Sequence, residues 1–193
     1  MKKIIKSTLF VLRIIVPISL SCSNSEETIT NVYYENGNIK STFVTSGCDS
    51  TSITFFENGD TARVDFYMNN LRKRKVLYFP GNRINEIVEH TDSLKRQTVF
   101  HQSGEIELST SFLRDTIIHG TQVGYHSNGQ LAIRSRFENG MPFGDFEQYY
   151  PNGNPFIIAK NVGNGVHFLY DSTRTDSLKI LYVNFEPVDT LSW

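Results

Sequence analysis

Few residues in this sequence have the types and spacing that chemistry requires, and the most prominent are two histidines. His101 and His126 each follow an aromatic residue and precede a short turn sequence, in FHQSG and YHSNG, so they occupy the same position of a recurring pattern. If successive copies lie side by side in a sheet, the two imidazoles are about 10 Å apart. A structural zinc site needs four ligands and a catalytic site three, and the pattern supplies no third ligand. We therefore expect neither a metal site nor a cofactor here.

Two pairs of carboxylates are the residues that could support acid–base catalysis. Glu105 with Glu107, and Asp145 with Glu147, are two residues apart and therefore share one face if they lie on strands. A glycosidase needs its two carboxyl groups about 5 to 10 Å apart beside a cleft, and the sequence indicates no cleft. The motifs Gly-x-Ser-x-Gly, Cys-x-x-Cys and His-Glu-x-x-His and a phosphate-binding loop are absent. We predict that the protein is not an enzyme.

The first 21 residues differ in composition from the rest of the chain. Their only charged residues are Lys2, Lys3, Lys6 and Arg13, around the apolar runs LFVL and IIVPISL. This pattern is typical of a secretory signal peptide and is too short and interrupted for a membrane-spanning helix. The segment ends ISLSC, which resembles the lipobox of bacterial lipoproteins, although Ser19 and Leu20 replace the residues usual there. The resemblance implies acylation of Cys22, which would become the first residue of the mature protein.

Cys22 has a second interpretation. Ordinary cleavage near Ser21 would leave Cys22 free to pair with Cys48, the other of the two cysteines. If Cys22 carries lipid, Cys48 is a lone thiol. With lipidation we expect a signal peptide over residues 1–21, a tether over residues 22–30, and a membrane-anchored lipoprotein of the bacterial cell envelope, either periplasmic or exposed at the surface.

The charge balance argues against a nucleic-acid partner. The 193-residue chain has a net charge of −1, and removing residues 1–21 takes away four basic residues, which leaves 15 basic and 20 acidic residues. A nucleic-acid-binding protein has the opposite balance. The one basic run, Arg72-Lys73-Arg74-Lys75, is expected to split between the two faces of a strand, and we interpret it as solvated.

A repeated turn sequence determines the predicted fold. It reads YYENG, FFENG, YFPGN, FHQSG, YHSNG and YYPNG, and the copies begin at Tyr33, Phe55, Tyr78, Phe100, Tyr125 and Tyr149. The spacing of 22 to 25 residues is typical of a repeat array. Asn-Gly favours a tight hairpin turn with two residues at positive φ. Each copy is therefore expected to end one strand and begin another.

The residues after each turn alternate with the period of a strand. Leu131, Ile133 and Ser135 are expected on one face, with Arg134 and Arg136 on the other. In the second copy the apolar residues are displaced by one position, so we expect a bulge near Asp60-Thr61 that turns Ala62, Val64 and Phe66 inward. The predicted fold is all-β, with no helix in the mature chain.

The repeats over residues 31–160 are expected to form an extended antiparallel meander of about a dozen strands. Residues 161–193, in which the turn sequence stops after Asn164-Gly165, are predicted to add two strands joined at DSTRTDS. Pro187 cannot donate a hydrogen bond to a neighbouring strand and suits an edge. We interpret this tail as the cap that an open array requires.

Two adjacent columns of side chains cross the predicted array. The first column consists of the residue that begins each copy, from Tyr33 to Tyr149, and it is aromatic in every copy. Because neighbouring residues of a strand point to opposite faces, the first and second columns lie on different faces of the sheet. We expect this first column to pack and the second column to form a binding strip. The strip consists of Tyr34, Phe56, Phe79, His101, His126 and Tyr150. The alternative is that both columns are core, because a single-layer sheet must bury apolar area somewhere.

The segment GYHSNGQLAIRSRFENGMPFGDFEQYYPNGNP resembles the bacterial MORN-like repeats of proteins described as YwqK-type antitoxin components. The resemblance is closest over residues 120–155, weaker over 31–67, and covers about two thirds of the chain. It implies a curved antiparallel sheet that acts as a scaffold or binding surface.

Three functions follow as hypotheses. The first is a non-enzymatic envelope lipoprotein whose sheet binds a protein, glycan or membrane surface. The second is an immunity or antitoxin protein that neutralises a toxin by direct contact, in the envelope because an exported protein cannot restrain a cytoplasmic toxin. The third is an envelope hydrolase with an unfamiliar site.

Overall fold

The structure, a computed structural model, describes residues 26–191. The proposed signal peptide and Cys22 lie outside the described residues. Within residues 26–191 no helix is long and apolar enough to cross a membrane. The strands are β1 (Thr28–Tyr33), β2 (Ile39–Ser46), β3 (Asp49–Phe55), β4 (Thr61–Met68), β5 (Leu71–Phe79), β6 (Arg83–His90), β7 (Leu94–Phe100), β8 (Ile106–Leu113), β9 (Ile117–Ile118), β10 (Gly120–Tyr125), β11 (Leu131–Glu138), β12 (Met141–Pro142), β13 (Phe146–Tyr149), β14 (Pro155–Ala159), β15 (Gly165–Tyr170), β16 (Ser177–Val183) and β17 (Glu186–Leu191).

These strands form one antiparallel meander, as predicted. Each long strand pairs with the next long strand in the chain, so that β8 pairs with β10 past β9, and β11 pairs with β13 past β12. The short strands β9 and β12 belong to the hairpin ends of β8 and β11. The repeats contain the predicted dozen long strands, and the described chain reaches 17 strands because β9 and β12 are short extensions and the tail adds three strands rather than the two expected.

A bulge follows the turn in all six predicted copies. Tyr125 pairs with Leu131 and Gly124 pairs with Ile133, so Ala132 is an extra residue on β11. The same shift occurs at the first-column residue of every other copy. The bulge expected near Asp60-Thr61 is therefore a general feature of the repeat.

The predicted displacement of the second copy is wrong. Asp65 and Ser135 lie at equivalent positions, ten residues after the first-column aromatic, and they are 4% and 3% exposed. Phe66, which was expected to point inward, is 38% exposed. The prediction assumed that an inward position must be apolar, whereas here a carboxylate is buried because Arg63 pairs with it.

The core is one row of side chains across a single-layer sheet. Cross-strand pairing connects Ser52, Asp65, Lys75, Val88, Gln97 and Thr110. The row continues because Gln122 Nε2 donates to Thr110 Oγ1 at 3.1 Å and Ser135 Oγ donates to Gln122 Oε1 at 3.3 Å. Among the described residues, the apolar side chains that are buried are Val76, Val88 and Ala159. Hydrogen-bonded polar side chains thus replace much of a conventional apolar core.

The strands turn at two long sides of the sheet. The column side carries the turns that follow the aromatic columns, at residues 35–38, 57–60, 80–82, 102–105, 127–130, 151–154 and 171–176. The tether side carries the turns at residues 47–48, 69–70, 91–93, 114–116, 139–140, 160–164 and 184–185. We call the second side the tether side because the predicted tether precedes β1 there. Thr28, the first residue of β1, pairs with Thr45 near the end of β2.

The two sides use different turns. At Asn128-Gly129 only the glycine has positive φ, 81°, and the Gly129 N–H donates to the His126 carbonyl at 2.9 Å. On the tether side both Asn139 and Gly140 have positive φ, at 51° and 85°, as a two-residue hairpin turn requires. The expectation of two positive φ values therefore holds at Asn139-Gly140 and is wrong for the column-side Asn-Gly turns, which are longer loops.

The repeat geometry continues into the tail. Tyr170 ends β15, and its turn is closed by hydrogen bonds from Asp171 N–H to Asp176 and from Arg174 N–H to Asp171, as in the earlier copies. The tail joins β15 and β16 at DSTRTDS as predicted, and β17 follows. Pro187 lies in β17, which pairs only with β16 in the described chain, so it occupies an edge strand as expected.

Candidate binding surfaces

The polar members of the second column connect consecutive copies. Tyr34 Oη donates to the Phe55 carbonyl at 2.7 Å, and Tyr150 Oη donates to the Tyr170 carbonyl at 3.1 Å. The Nε2 atoms of His101 and His126 contact the Tyr125 and Tyr149 carbonyls at 3.0 and 2.8 Å. Because a carbonyl only accepts, each imidazole donates from Nε2. Each acceptor is the first-column residue of the following copy.

The exposure of the predicted strip is intermediate throughout. Tyr34, Phe56, Phe79, His101, His126 and Tyr150 are all half-buried. The polar tips of four of these residues are used in bonds between copies, so a ligand would meet ring faces and edges rather than free hydroxyls. The first column is also half-buried, except that Tyr33, at the start of the sheet, is 57% exposed. Binding at the strip stays a prediction.

Asparagines on the column side connect the turns. Asn128 Oδ1 accepts from the Gln130 N–H at 3.1 Å within its own turn, while Asn128 Nδ2 donates to the Pro151 carbonyl of the next turn at 2.6 Å. Asn152 repeats this arrangement with the Ser172 carbonyl at 2.8 Å. The turn pattern in the sequence indicates only a conformational role for Asn. Its recurrence with the spacing of the repeat was the signal for bonds between turns.

The basic run on β5 is neutralised by acidic side chains. Its four ion pairs are Arg72–Asp65 at 3.7 Å, Lys73–Asp92 at 3.5 Å, Arg74–Glu89 at 3.8 Å and Lys75–Glu86 at 3.1 Å. Lys75 and Glu86 are the most buried of these pairs, and Gln97 Nε2 also donates to Glu86 at 2.6 Å. The run therefore does not form an uncompensated anion site.

The candidate catalytic carboxylates also have cationic partners. Asp145 pairs with Lys160 at 2.7 Å, and this hydrogen bond lowers the pKa of the Asp145 carboxyl group. Glu147 pairs with Arg134 at 3.2 Å. Asp145, Glu147 and Arg134 line an open groove rather than an enclosed cleft. A carboxyl group with a lowered pKa is ionised at neutral pH and suits an ion pair better than a general acid.

The second pair and the histidines show no assembled metal site. Glu107 lies 3.8 Å from His101 Nδ1, and Glu105 is exposed. Across residues 26–191 there is no group of three His, Cys, Asp or Glu residues placed to hold a metal ion. His101 and His126 each direct one ring nitrogen at a backbone carbonyl, which accounts for their shared position without a ligand.

Two other histidines have a buried nitrogen. In the described chain, Nε2 of His90 and Nε2 of His167 lack a hydrogen-bond partner. His90 Nδ1 lies 3.4 Å from Asp115. His167 stacks on Tyr182 with ring centroids 4.0 Å apart, and burial lowers the pKa of His167. His90 is the last residue of β6, on the tether side, and His167 lies within β15, so neither belongs to the strip.

Cys48 lies in the tether-side turn between β2 and β3 and is disulfide-bonded. The other cysteine, Cys22, lies outside the described residues. The chain thus brings the Cys48 sulfur to the same side of the sheet from which the predicted tether departs.

Comparison with known proteins identifies one repeat. Residues 118–139 match the family described as MORN repeat variant. This segment contains β10, the YHSNG turn and β11. No curated protein matches the chain with significance. The matched segment and the recurrence of its turns and bulges support a MORN-like repeat protein.

Proposed function

We propose that this protein is a non-enzymatic lipoprotein of the bacterial cell envelope, anchored at Cys22, whose repeat sheet serves as a binding or scaffold surface. The signal-like start and ISLSC support export and acylation. The YwqK-type resemblance over residues 120–155 supports the bacterial origin and the scaffold role.

The observation that carries the proposal is the single open layer. Side chains of the second column and turn asparagines bind each copy to the next, and a polar row fills the centre. The array is therefore held together within the layer itself. Both faces and both long sides remain available to a partner, as in other repeat proteins whose extended surfaces bind ligands.

Acylation and a disulfide compete for the same sulfur. The chain has two cysteines, so a thioether to lipid at Cys22 and a disulfide between Cys22 and Cys48 exclude each other. Stable anchoring requires more than one acyl chain, as lipoprotein acylation provides.

The anchoring is tested by metabolic labelling with palmitate. The full chain should be labelled and recovered with membranes, whereas Cys22→Ala should be unlabelled and Cys48→Ala should be labelled like the wild type. Equal labelling of the wild type and Cys22→Ala, or a wild-type Cys22 recovered in a disulfide, would overturn the proposed anchor.

The binding role is tested at the strip. Phe56→Ala and Phe79→Ala remove half-buried rings that make no polar contact. We expect both variants to weaken crosslinking to envelope components in intact cells, with melting temperatures near that of the wild type. A large loss of stability in both variants would show that the strip is core and that the partner binds elsewhere.

A further inference from the structure

The most exposed apolar side chains are concentrated on the tether side. Eight large apolar residues of the described chain are more than half exposed. They are Ile29, Tyr33, Met68, Leu71, Met141, Phe143, Phe185 and Val188. All except Tyr33 lie in the half of the sheet next to the tether side. Isolated exposed apolar residues are ordinary, but a one-sided concentration marks an interaction surface.

Five of these eight residues, all on the tether side, form two exposed clusters. Met68 and Leu71, 52% and 63% exposed, flank the turn between β4 and β5. Met141 and Phe143, 65% and 55% exposed, line a shallow groove together with Phe185. The clusters are about 25 Å apart, since five strand spacings separate β5 from β11. None of these residues belongs to the repeated turn sequence, so the requirements of the array do not explain them.

Phe185 is held outward at a conformational cost. It is the second residue of the turn between β16 and β17, with φ at 67°, and it is 52% exposed. Positive φ is unusual for a bulky residue. Its N–H donates to the Gly163 carbonyl at 2.9 Å, and a Cβ at Gly163 would lie 2.9 Å from the Phe185 ring. The turn therefore fixes an aromatic ring at the tip of the tether side without burying it.

The column side has the opposite character. Its turns contain no large apolar side chain apart from prolines, and their charged residues are Glu35, Glu57, Asp60, Glu105, Asp176 and Arg174, with Asp171 at the start of the last turn. An anionic membrane surface would repel this acidic side.

The position of the tether identifies the partner. Five residues, 23–27, separate Cys22 from Thr28, and the six steps between these two residues span at most about 22 Å when fully extended. A lipid on Cys22 therefore enters a bilayer close to the tether side. Two separate clusters with polar turns between them also suit a bilayer, which needs no matching shape, better than a protein pocket.

We infer that the tether side lies against a phospholipid bilayer, with Met141, Phe143 and Phe185 at one contact and Met68 and Leu71 at the other. The rings and methionines would enter the boundary between headgroups and acyl chains, as apolar residues of peripheral proteins do. The acidic column side then faces away from the membrane. This orientation rests on the proposed anchor at Cys22.

The experiment places an environment-sensitive nitrobenzoxadiazole label at single cysteines in a Cys48→Ala background. Tether-side positions are Met141→Cys and Phe185→Cys, and matched exposed positions on the column side are Ser103→Cys and Ser127→Cys. The chains are studied in acylated form on vesicles of phosphatidylcholine and phosphatidylglycerol. A second set carries hexahistidine in place of Cys22 and is attached through a nickel-chelating lipid.

Tether-side labels should show blue-shifted emission and quenching by nitroxide lipids in both sets, with column-side labels unchanged. Unchanged emission at Met141→Cys and Phe185→Cys would overturn the orientation. That result is expected if the tether side binds a protein, because the vesicles contain no protein partner. An equal response of all four labels would do the same. The nickel-attached set reports the orientation even if Cys22 proves not to be acylated, so failure of the anchor and failure of the orientation are distinguishable. Circular dichroism of each chain verifies that it is folded.

Discussion

Asp65 is 4% exposed, and the guanidinium groups of Arg63 and Arg72 lie beside its carboxylate. A carboxylate removed from water is costly unless cations and hydrogen-bond donors replace its hydration. Arg63 donates from two guanidinium nitrogens, and this hydrogen bonding raises the pKa of Arg63. The buried charge is thus stabilised within its own strand and from the neighbouring strand.

Replacing Asp65 with alanine should destabilise the sheet. The change removes the acceptor for two arginines and leaves a gap in the central row, so we expect a loss of about 2 kcal/mol in the free energy of unfolding. Asp92→Ala is the matched control, because Asp92 also forms an ion pair, with Lys73 at 3.5 Å, but is fully exposed. Urea unfolding measures both, and equal effects of the two substitutions would contradict the role assigned to Asp65.

We expect the imidazole of His167 to make the stability of the fold depend on pH. Burial lowers its pKa in the folded chain, so the unfolded chain, with a pKa near 6.5, binds a proton more readily. The stabilising contribution is fully present above about pH 6.5 and is lost as the pH falls through the lowered folded-state pKa.

The melting temperature of the wild type should therefore decline as the pH falls from about 7 to about 5. This range lies above the reference pKa values of carboxyl groups. His167→Phe keeps a ring against Tyr182 and should show a smaller decline. Parallel profiles for the two proteins would contradict this assignment.

At the scale of the elements, each hairpin is completed by the next one. The column-side loop closes on itself through backbone bonds, and a side chain of the second column then bonds the following copy. A hairpin alone is marginally stable in water, so contacts between copies determine whether the array forms.

Tyr150→Phe tests this connection, because it removes the bond from Oη to the Tyr170 carbonyl and keeps the ring. The expected loss is about 1 kcal/mol. Tyr33→Phe is the control, since Tyr33 is 57% exposed at the first strand. Stability should fall in Tyr150→Phe and stay unchanged in Tyr33→Phe when measured by urea unfolding. The idea fails if Tyr150→Phe is as stable as the wild type.

Turn chemistry and strand period were sufficient to predict the antiparallel meander. They were insufficient for inward positions, since alternation favoured Phe66 over Asp65. Arg63, two residues before Asp65 on the same strand, was a local signal that was missed, whereas the second partner, Arg72, lies on the next strand. Tyr170 was missed because its turn, DSTRTDS, lacks Asn-Gly, although Arg174 adopts the required positive φ of 60°. The hydrogen bonds of His101 and His126 to backbone carbonyls could not be predicted, because they depend on the register between neighbouring copies.

At the scale of the molecule, the sheet is long and one layer thick. Fifteen strands lie side by side, all except the short β9 and β12. At about 4.8 Å per strand the array is about 70 Å long. Few side chains are fully buried, and those that are lie mainly along one central row. Such a molecule exposes far more surface than a compact domain of equal length, which is the property that a scaffold requires.

The central claim, an extended single-layer array, is tested most directly by small-angle X-ray scattering. The unacylated mature chain with Cys22→Ser should give a maximum dimension of about 70 Å and a radius of gyration of about 20 Å, as expected for a slab of fifteen strands. A compact domain of the same length has a radius of gyration of about 16 Å. A monomer with that compact value would contradict the account, because it would require the sheet to close or fold upon itself.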